Sequence, residues 1–240
     1  MNLLLLTPED LCPSRGIHPM AKIQDRRARH LIQTNRVECG DTVKAGMING
    51  DMGIATIVSI DGTCLSLELN LNKAPPPPLP VTLIMALPRP KMLKRTLQTI
   101  ATMGVKKLYF INSYRVEKSY WQSPWLDAIK IQEQLILGLE QGCDTQLPQV
   151  ILNKRFKPFV EDDMPALCQD RRALVAHPYT TTPCPAASLE DTLLVIGPEG
   201  GFIPYEVDKL QQAGCEAIHL GDRILRVETA VPVLLAKLFP

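Results

Sequence analysis

The sequence has no apolar run close to the roughly 20 residues that span a membrane, so we expect no membrane partner. Aromatic residues are scarce, at 5%, but 45% of the residues are hydrophobic, which excludes a disordered or fibrous chain. The first six residues carry no basic group and are followed by Pro8, Glu9 and Asp10, unlike a signal peptide. A length of 240 residues predicts one or two domains with a substantial core.

Cysteine and histidine patterns that bind metals are also missing. The seven cysteines are scattered, odd in number and form no C-x-x-C pair, which is typical of reduced thiols. The four histidines form no ligand set, and for His177 and His219, which end predicted strands, a structural role is favoured over a catalytic one. We therefore expect a cytoplasmic protein without a metal site.

Nucleotide-binding motifs of the G-x-G-x-x-G or Gly-Lys-Ser/Thr type are absent. Instead, an apolar strand-like run leads into Ile196-Gly197-Pro198-Glu199-Gly200-Gly201-Phe202, and a helix-like run follows. Glycines after a strand let the backbone approach a ligand closely, and the next helix offers free N–H groups. Glu199 could face a cationic ligand or cap that helix. A plain strand-to-helix turn is the simpler interpretation of a Gly-Gly pair alone.

A second segment of this kind is Leu220-Gly221-Asp222-Arg223-Ile224-Leu225-Arg226-Val227-Glu228-Thr229-Ala230. Pro232 lacks an N–H and belongs in a first helical turn, which predicts a helix start near Glu228 or Thr229. Arg226 would then precede a helix N-terminus, beside the glycine segment if the two preceding strands are neighbours. A structural ion pair between Arg226 and Glu228 is the alternative.

Positive charge is concentrated in two stretches. The whole chain has a formal net charge of +1, but residues 11–36 carry +5 and residues 89–118 carry +7, which leaves −11 elsewhere. Such clusters on an otherwise acidic protein favour a polyanion partner such as RNA over merely solvated helix faces.

A proline run divides the sequence. Residues 73–80 include four consecutive prolines, which favour an extended, semi-rigid spacer. We therefore predict a domain at 1–72, a linker at 73–80 and a second domain at 81–240.

The first domain is predicted to be all-β apart from the basic run 26–36, which is assigned to a helix and loop. Strand-like runs at 42–48, 53–60 and 64–69 are joined by Asn49-Gly50 and Asp61-Gly62, which are strong turn signals. These runs predict a three-stranded meander.

The second domain alternates strand-like and helix-like runs, which predicts an α/β fold with a mostly parallel sheet. The predicted strands are 81–87, 108–111, 173–176, 193–196 and 217–220. The predicted helices are 91–103, 124–141, 204–213 and 230–239.

Together, the segments Ile196–Phe202 and Leu220–Ala230 resemble the two signature blocks of the RsmE-type ribosomal RNA methyltransferases of the SPOUT class, which modify N3 of a uridine in 16S rRNA. The N-terminal part, with Arg29-His30-Leu31, Arg36, Gly40-Asp41 and Asn49-Gly50, is similar to the family's PUA-like RNA-binding barrel.

This resemblance implies a small N-terminal PUA-like β-barrel plus a C-terminal SPOUT α/β domain with a trefoil knot, assembled as a cytoplasmic homodimer. The implied cofactor is S-adenosylmethionine, and the implied substrate is 16S rRNA or the small ribosomal subunit. The implied cofactor-binding residues are Leu87, Ile196, Gly197, Pro198, Glu199, Gly200, Gly201, Leu220, Gly221, Ile224, Leu225, Thr229 and Ala230. The implied RNA-binding residues are Arg26, Arg27, Arg29, His30, Arg36 and Arg223.

The implied catalytic residues are Arg226 and Glu228. Because the sulfonium already activates the methyl group, the enzyme needs alignment more than a strong nucleophile. A guanidinium such as that of Arg226 would stabilise negative charge on the uracil, and Glu228 would orient it or take a proton.

Two departures from the family pattern leave other functions open. Thr102 stands where the family has the glutamate of Glu-Leu-Gly, and Asp144 stands where it has an arginine. A methyltransferase acting on another RNA, or a catalytically idle RNA-binding scaffold for ribosome assembly, are the alternatives. The intact Gly200-Gly201 pair and the Ile224–Ala230 block argue against the idle scaffold.

Overall fold

The computed structural model describes residues 1–13 and 18–240, so Arg15 of the first basic stretch lies outside the described residues. The described chain divides into two compact units. The first comprises residues 1–77 and 136–147, and the second comprises residues 78–135 and 148–240. The first boundary thus falls inside the proline run, and a later segment returns to the first unit.

The first unit contains a six-stranded sheet, one short helix of its own and, within residues 136–147, the end of a helix that begins in the second unit. Its strands are β1 (Leu4–Leu6), β2 (Leu11–Cys12), β3 (Met20–Ile23), β4 (Thr42–Met47), β5 (Met52–Asp61) and β6 (Cys64–Lys73). Their order in the sheet is β1-β4-β5-β6-β3-β2, with β1 and β4 parallel and the other pairs antiparallel. The helix α1 (Arg26–His30) continues as a wider turn over Leu31–Asn35.

The predicted meander is confirmed as β4, β5 and β6, and the basic run does lie on a helix. Along β6, Leu65, Leu67 and Leu69 are buried and form part of the core of this unit. The strands β1, β2 and β3 were missed, because short runs without clear alternation carry little strand signal.

The second unit is built on a parallel sheet. Its strands are β7 (Val81–Ala86), β8 (Lys107–Ile111), β9 (Gln149–Asn153), β10 (Arg172–Ala176), β11 (Thr192–Ile196) and β12 (Glu216–Ile218). Their order is β12-β10-β11-β7-β8-β9, and every pair is parallel. All residues of β7 and β11 are buried, as expected for strands in the middle of such a sheet.

The helices that follow these strands are α2 (Pro90–Thr102), α3 (Ala128–Gly142), α4 (Phe156–Pro158), α5 (Met164–Cys168), α6 (Pro204–Gln212) and α7 (Val227–Leu238). A wider turn, Phe159–Asp163, joins α4 to α5. The predicted parallel α/β sheet is confirmed, and β9 is an additional strand at its edge.

One predicted helix start and the predicted place of Pro232 are wrong. The helix expected from Pro124 begins at Ala128, because Pro124–Leu126 forms a separate 3₁₀ turn and Asp127 accepts a hydrogen bond from the backbone N–H of Ile129. The last helix begins at Val227, because the Arg226 carbonyl already accepts hydrogen bonds from the amides of Thr229 and Ala230. Pro232 therefore lies inside α7 and not in its first turn.

Candidate functional site

The segment Gly197–Gly201 leaves the end of β11 as a tight turn. Gly201 donates its N–H to the carbonyl of Pro198 over 2.7 Å and has a φ of +73°, a conformation that favours glycine. A Cβ on Gly197 would lie 3.1 Å from the ring of Phe202, so close packing favours glycine there as well. Glu199 is exposed and accepts a hydrogen bond from the backbone N–H of Arg89 over 3.2 Å.

The segment 219–226 leaves the end of β12 and leads into α7. Gly221 has a φ of +111° and donates its N–H to Nδ1 of His219 over 3.0 Å. Because Nδ1 accepts this bond, the Nε2 atom carries the proton when the His219 ring is neutral. Histidine thus shapes this loop, in agreement with the structural role expected for His219.

The two segments do not follow neighbouring strands, because β10 lies between β11 and β12. They nevertheless line one cavity of about 230 Å³. The segment 176–179, which begins at the last residue of β10, lines the same cavity between them. Three successive strand ends therefore meet at one site, as is typical of ligand sites in parallel sheets.

Most of the predicted cofactor-binding residues line this cavity. They are Ile196, Gly197, Pro198, Glu199, Gly200, Gly201, Leu220, Gly221, Ile224, Leu225 and Ala230. Arg223, predicted as an RNA contact, lines it too. Leu87 and Thr229 are not among the lining residues; Leu87 is buried, and its N–H is donated to the carbonyl of Ile111 over 2.9 Å.

Arg226 and Glu228 lie at the start of α7 and are not lining residues either. Arg226 is the residue immediately before the helix, and its guanidinium is largely exposed. The neighbouring Leu225 and Val227 do line the cavity. Apart from a loose ion pair with Glu228 at 3.9 Å, the Arg226 guanidinium is open to solvent.

Several lining residues were missed by the sequence reasoning, in particular Arg115, His177 and Tyr179. His177 carries a buried Nδ1 for which the described residues supply no partner, and burial lowers its pKa. Tyr179 packs edge-on against this ring at 5.6 Å between centroids. The available signal was positional, since His177 directly follows a predicted strand of the sheet.

The predicted RNA-binding residues of the first unit fall into two groups. Arg29 and Arg36 are exposed, whereas Arg27 is 9% exposed. The guanidinium of Arg27 contacts Asp10 at 2.7 Å, Asp25 at 2.9 Å and the carbonyl of Leu5 at 2.7 Å. The structure therefore places Arg27 in the packing of this unit and not on its surface.

Arg26 and His30 also have partners within the first unit. Arg26 forms a bidentate salt bridge with the buried Glu140, with N–O distances of 2.8 and 2.9 Å. Nε2 of His30 lies 3.5 Å from the N-terminal amine of Met1. For Arg26 to contact an RNA phosphate, it would have to give up or share this charge-assisted pair with Glu140.

The two departures from the family pattern occupy different environments. Asp144 is buried in the first unit and accepts a hydrogen bond from the N–H of Gln146 over 2.9 Å. Thr102 is exposed at the end of α2, and its hydroxyl donates to the carbonyl of Gln98 over 2.8 Å. Asp144 thus serves a local turn in this chain.

The described residues contain no group of three or more histidine, cysteine or acidic side chains that could hold a metal ion. In the same part of the chain, no helix has the length and apolarity needed to cross a membrane.

The family model for the RNA methyltransferase domain matches residues 75–238. The chain belongs to this family. Its match confirms the resemblance found in the sequence, and it covers all residues that line the cavity.

Curated relatives agree with this assignment. The chain is 27% identical over 237 residues to "Ribosomal RNA small subunit methyltransferase E" of Treponema pallidum, covering 96% of this chain and 87% of that protein. It is 24% identical over 233 residues to "Ribosomal RNA small subunit methyltransferase E 1" of Borreliella burgdorferi, covering 96% and 94%.

Solved structures share the fold. A ribosomal RNA small subunit methyltransferase E from Neisseria gonorrhoeae, bound to S-adenosyl methionine, superposes with a TM-score of 0.72 at 22% identity, covering 98% of this chain and 95% of that one. A putative methyltransferase from Legionella pneumophila, in complex with the same cofactor, gives a TM-score of 0.73 at 20% identity with the same coverage. The α/β architecture with its parallel sheet is therefore that of known methyltransferases.

Proposed function

We propose that this protein is an S-adenosylmethionine-dependent methyltransferase that modifies N3 of a uridine in 16S ribosomal RNA. The observation that carries the proposal is the convergence of both signature segments on one cavity, with Arg226 at the adjoining start of α7. Family membership and the relatives that act on small-subunit RNA support it. We propose that the protein acts in the cytoplasm.

The cavity has the chemistry that this cofactor requires. Apolar side chains of Ile218, Leu220 and Leu225 offer a surface for the adenine ring. The positions of a Cβ on Gly201 and on Gly221 have no atom within 4 Å, so a ligand has room to lie against the backbone there. The Glu199 carboxylate supplies negative charge for a cationic ligand, and S-adenosylmethionine carries a sulfonium and an ammonium group.

The bound cofactor supplies an activated methyl group. The residues of the chain stabilise the charge that develops on the uracil and accept its proton. Uracil N3 is a weak nucleophile while it is protonated, so its anion and the charge on its carbonyl oxygens must be stabilised. The Arg226 guanidinium supplies fixed positive charge for this. Glu228, whose carboxylate lies 3.9 Å from that guanidinium, orients it or accepts the N3 proton.

RNA affinity comes from the exposed basic residues, which give sequence-independent attraction to phosphates. Arg29 and Arg36 in the first unit and Arg223 beside the cavity are the contacts we propose. The first unit acts as the PUA-like RNA-binding domain, in line with its six-stranded sheet. We also propose a trefoil knot in the second unit and a homodimer, as the family resemblance implies.

The first experiment is calorimetric titration with S-adenosylmethionine and S-adenosylhomocysteine. Gly200 lines the cavity, and a Cβ on it would lie 2.9 Å from Cδ of Arg115. The long side chain of Gly200→Arg therefore has to displace Arg115 and take up room at the cavity, so we expect much weaker binding. Gln211→Arg adds the same charge on the exposed face of α6 and is the matched control. Absence of binding by the folded wild-type protein, with and without 16S rRNA, contradicts the proposal.

The second experiment identifies the product. Purified protein is incubated with cofactor and either free 16S rRNA or small-subunit particles, and modified nucleosides are identified by mass spectrometry. N3-methyluridine supports the proposal. A different methylated nucleoside supports the other candidate, a methyltransferase for another RNA site, which the departures at Thr102 and Asp144 favour.

A further inference from the structure

The loop that follows β8 reaches the glycine turn at the cavity, although β7 lies between β8 and β11 in the sheet. Arg115 of this loop lines the cavity and donates a hydrogen bond from Nη1 to the carbonyl of Gly200. Its aliphatic stem lies against the same glycine, because a Cβ on Gly200 would meet Cδ of Arg115 at 2.9 Å. Arg115 therefore contacts this turn with both its charge and its stem.

A buried carboxylate fixes the loop that carries Arg115. Glu206 in the first turn of α6 is 2% exposed. Its carboxylate accepts hydrogen bonds from the hydroxyl of Ser113 at 3.2 Å and from the N–H of Tyr114 at 2.7 Å. It also accepts one from the N–H of Ile203 at 3.0 Å. A single side chain thus ties the β8 loop to the segment that follows the glycine turn.

We propose that Arg115 and Glu206 are positioning residues that hold the glycine turn 197–201 in its ligand-binding shape. Glu206 acts on the loop of Arg115, and Arg115 acts on the carbonyl of Gly200. The turn contains Gly201, which has a positive φ and donates its N–H to the Pro198 carbonyl. Both features are lost if the backbone of the turn changes conformation. Without an anchor, a turn containing two adjacent glycines has many conformations to lose on binding.

The Gly201 amide gives a direct readout that needs no cofactor. In the free protein this N–H is bonded to the Pro198 carbonyl, so its hydrogen exchange reports opening of the turn. We expect exchange in a peptide covering 197–203 to be about fivefold faster in Arg115→Ala, as for loss of one net hydrogen bond. Arg115→Met keeps the aliphatic stem and lies between Arg115→Ala and wild type.

Glu206→Gln tests the second residue. The amide nitrogen cannot accept from the N–H groups that the carboxylate serves, so exchange in the same peptide also rises. Arg95→Ala, which removes an exposed arginine from α2, is the matched control and leaves exchange unchanged. Thermal melting verifies that each variant is folded. Unchanged exchange in folded Arg115→Ala and Glu206→Gln overturns the proposal.

The affinity part of the proposal rests on the proposed function. We expect Arg115→Ala to bind S-adenosylhomocysteine about fivefold more weakly than wild type, while Arg95→Ala binds normally. Faster exchange with unchanged affinity shows that the turn is held but that its shape does not set affinity, which overturns this part. If wild-type protein binds no cofactor while exchange still rises, the proposed function fails and the positioning role stands.

Discussion

Arg226 and Glu228 face each other across 3.9 Å between Nη1 and Oε1, and the arginine side chain is 85% exposed while that of the glutamate is 31% exposed. An ion pair this loose and this exposed contributes little to stability. The structural alternative for this pair, in which it serves mainly to hold the start of α7, is therefore poorly supported. The Arg226 guanidinium is accessible to another molecule, as its proposed catalytic role requires.

Arg226→Ala should separate catalysis from folding. We expect the variant to unfold at nearly the wild-type temperature and to bind S-adenosylhomocysteine normally, because its side chain neither lines the cavity nor is buried. Methyl transfer to 16S rRNA should fall at least about 100-fold, the scale on which removal of one charge-stabilising group acts. Single-turnover kinetics measure the loss, with Lys237→Ala at the other end of α7 as control. Normal turnover contradicts the assigned role.

Gly221→Ala should destabilise the backbone conformation of the loop that follows β12. The position has a φ of +111°, which alanine adopts only with strain of about 1–3 kcal/mol, although a Cβ there meets nothing within 4 Å. We expect lower affinity for S-adenosylhomocysteine in calorimetry without global unfolding. Ala213→Gly, at a partly exposed position just after the end of α6, is a control for a small backbone change. Unchanged affinity would show that this loop conformation is not needed for binding.

Arg27 and Arg29 are adjacent in the basic run but should behave in opposite ways. Arg27→Met leaves the Asp10 carboxylate without its cationic partner, with only Thr7 still donating to it. The variant should destabilise the first unit by about 3 kcal/mol, measured by chemical denaturation. Arg29→Ala should leave stability unchanged but weaken RNA binding and flatten its salt dependence. RNA affinity measured at several salt concentrations decides the point. The interpretation is wrong if Arg27→Met remains fully stable.

Asp25 gives the first unit a defined response to acid. Burial raises the pKa of this carboxyl, but hydrogen bonds and charge from Arg27 outweigh it, so the pKa lies below the ordinary 3.8. A lowered carboxyl pKa stabilises the fold above about pH 4, and this contribution is lost as the pH falls through the folded value. The free energy of unfolding should therefore fall less in Asp25→Asn than in the wild type as the pH is lowered below about 4. Denaturant titrations at each pH measure it. Equal losses in both proteins would contradict this account.

His177 should remain neutral at pH values where an ordinary histidine side chain becomes charged. Its pKa is lowered by burial from 6.5, so the unfolded chain takes up this proton first as the pH falls below about 6.5, and stability then decreases. NMR titration of the imidazole measures the pKa directly, and His177→Phe should remove the corresponding pH dependence of unfolding. A titration midpoint at or above 6.5 would be the contradicting result.

The sequence determined the type of the central strands and longer helices and two of the segments that form the site. Apolar runs bounded by turn residues located β7, β10 and β11, because a strand covered on both faces consists mostly of apolar residues. The glycine positions were also readable, since a turn directly after a buried strand needs positive φ or close approach at Gly197, Gly201 and Gly221. These are local constraints, and a local pattern records them.

The order of strands in the sheets was not readable in the same way. Pairing of β10 between β11 and β12, and of β1 beside β4, depends on contacts between residues far apart in the sequence. For the same reason the sequence did not predict the edge strand β9 or the inclusion of residues 136–147 in the first unit. No short pattern specifies such a pairing, because its free energy arises only when both partners are in place.

The tertiary structure alone decided which charged residues are available. Arg27 and Arg29 are chemically identical in the sequence, yet one is enclosed by two carboxylates and the other is exposed. Arg115 was one of eight basic residues in its stretch until the β8 loop placed it on Gly200. The sequence determined the local geometry of the two loops, whereas burial and long-range contacts, which depend on the complete fold, determined which side chains surround the cavity.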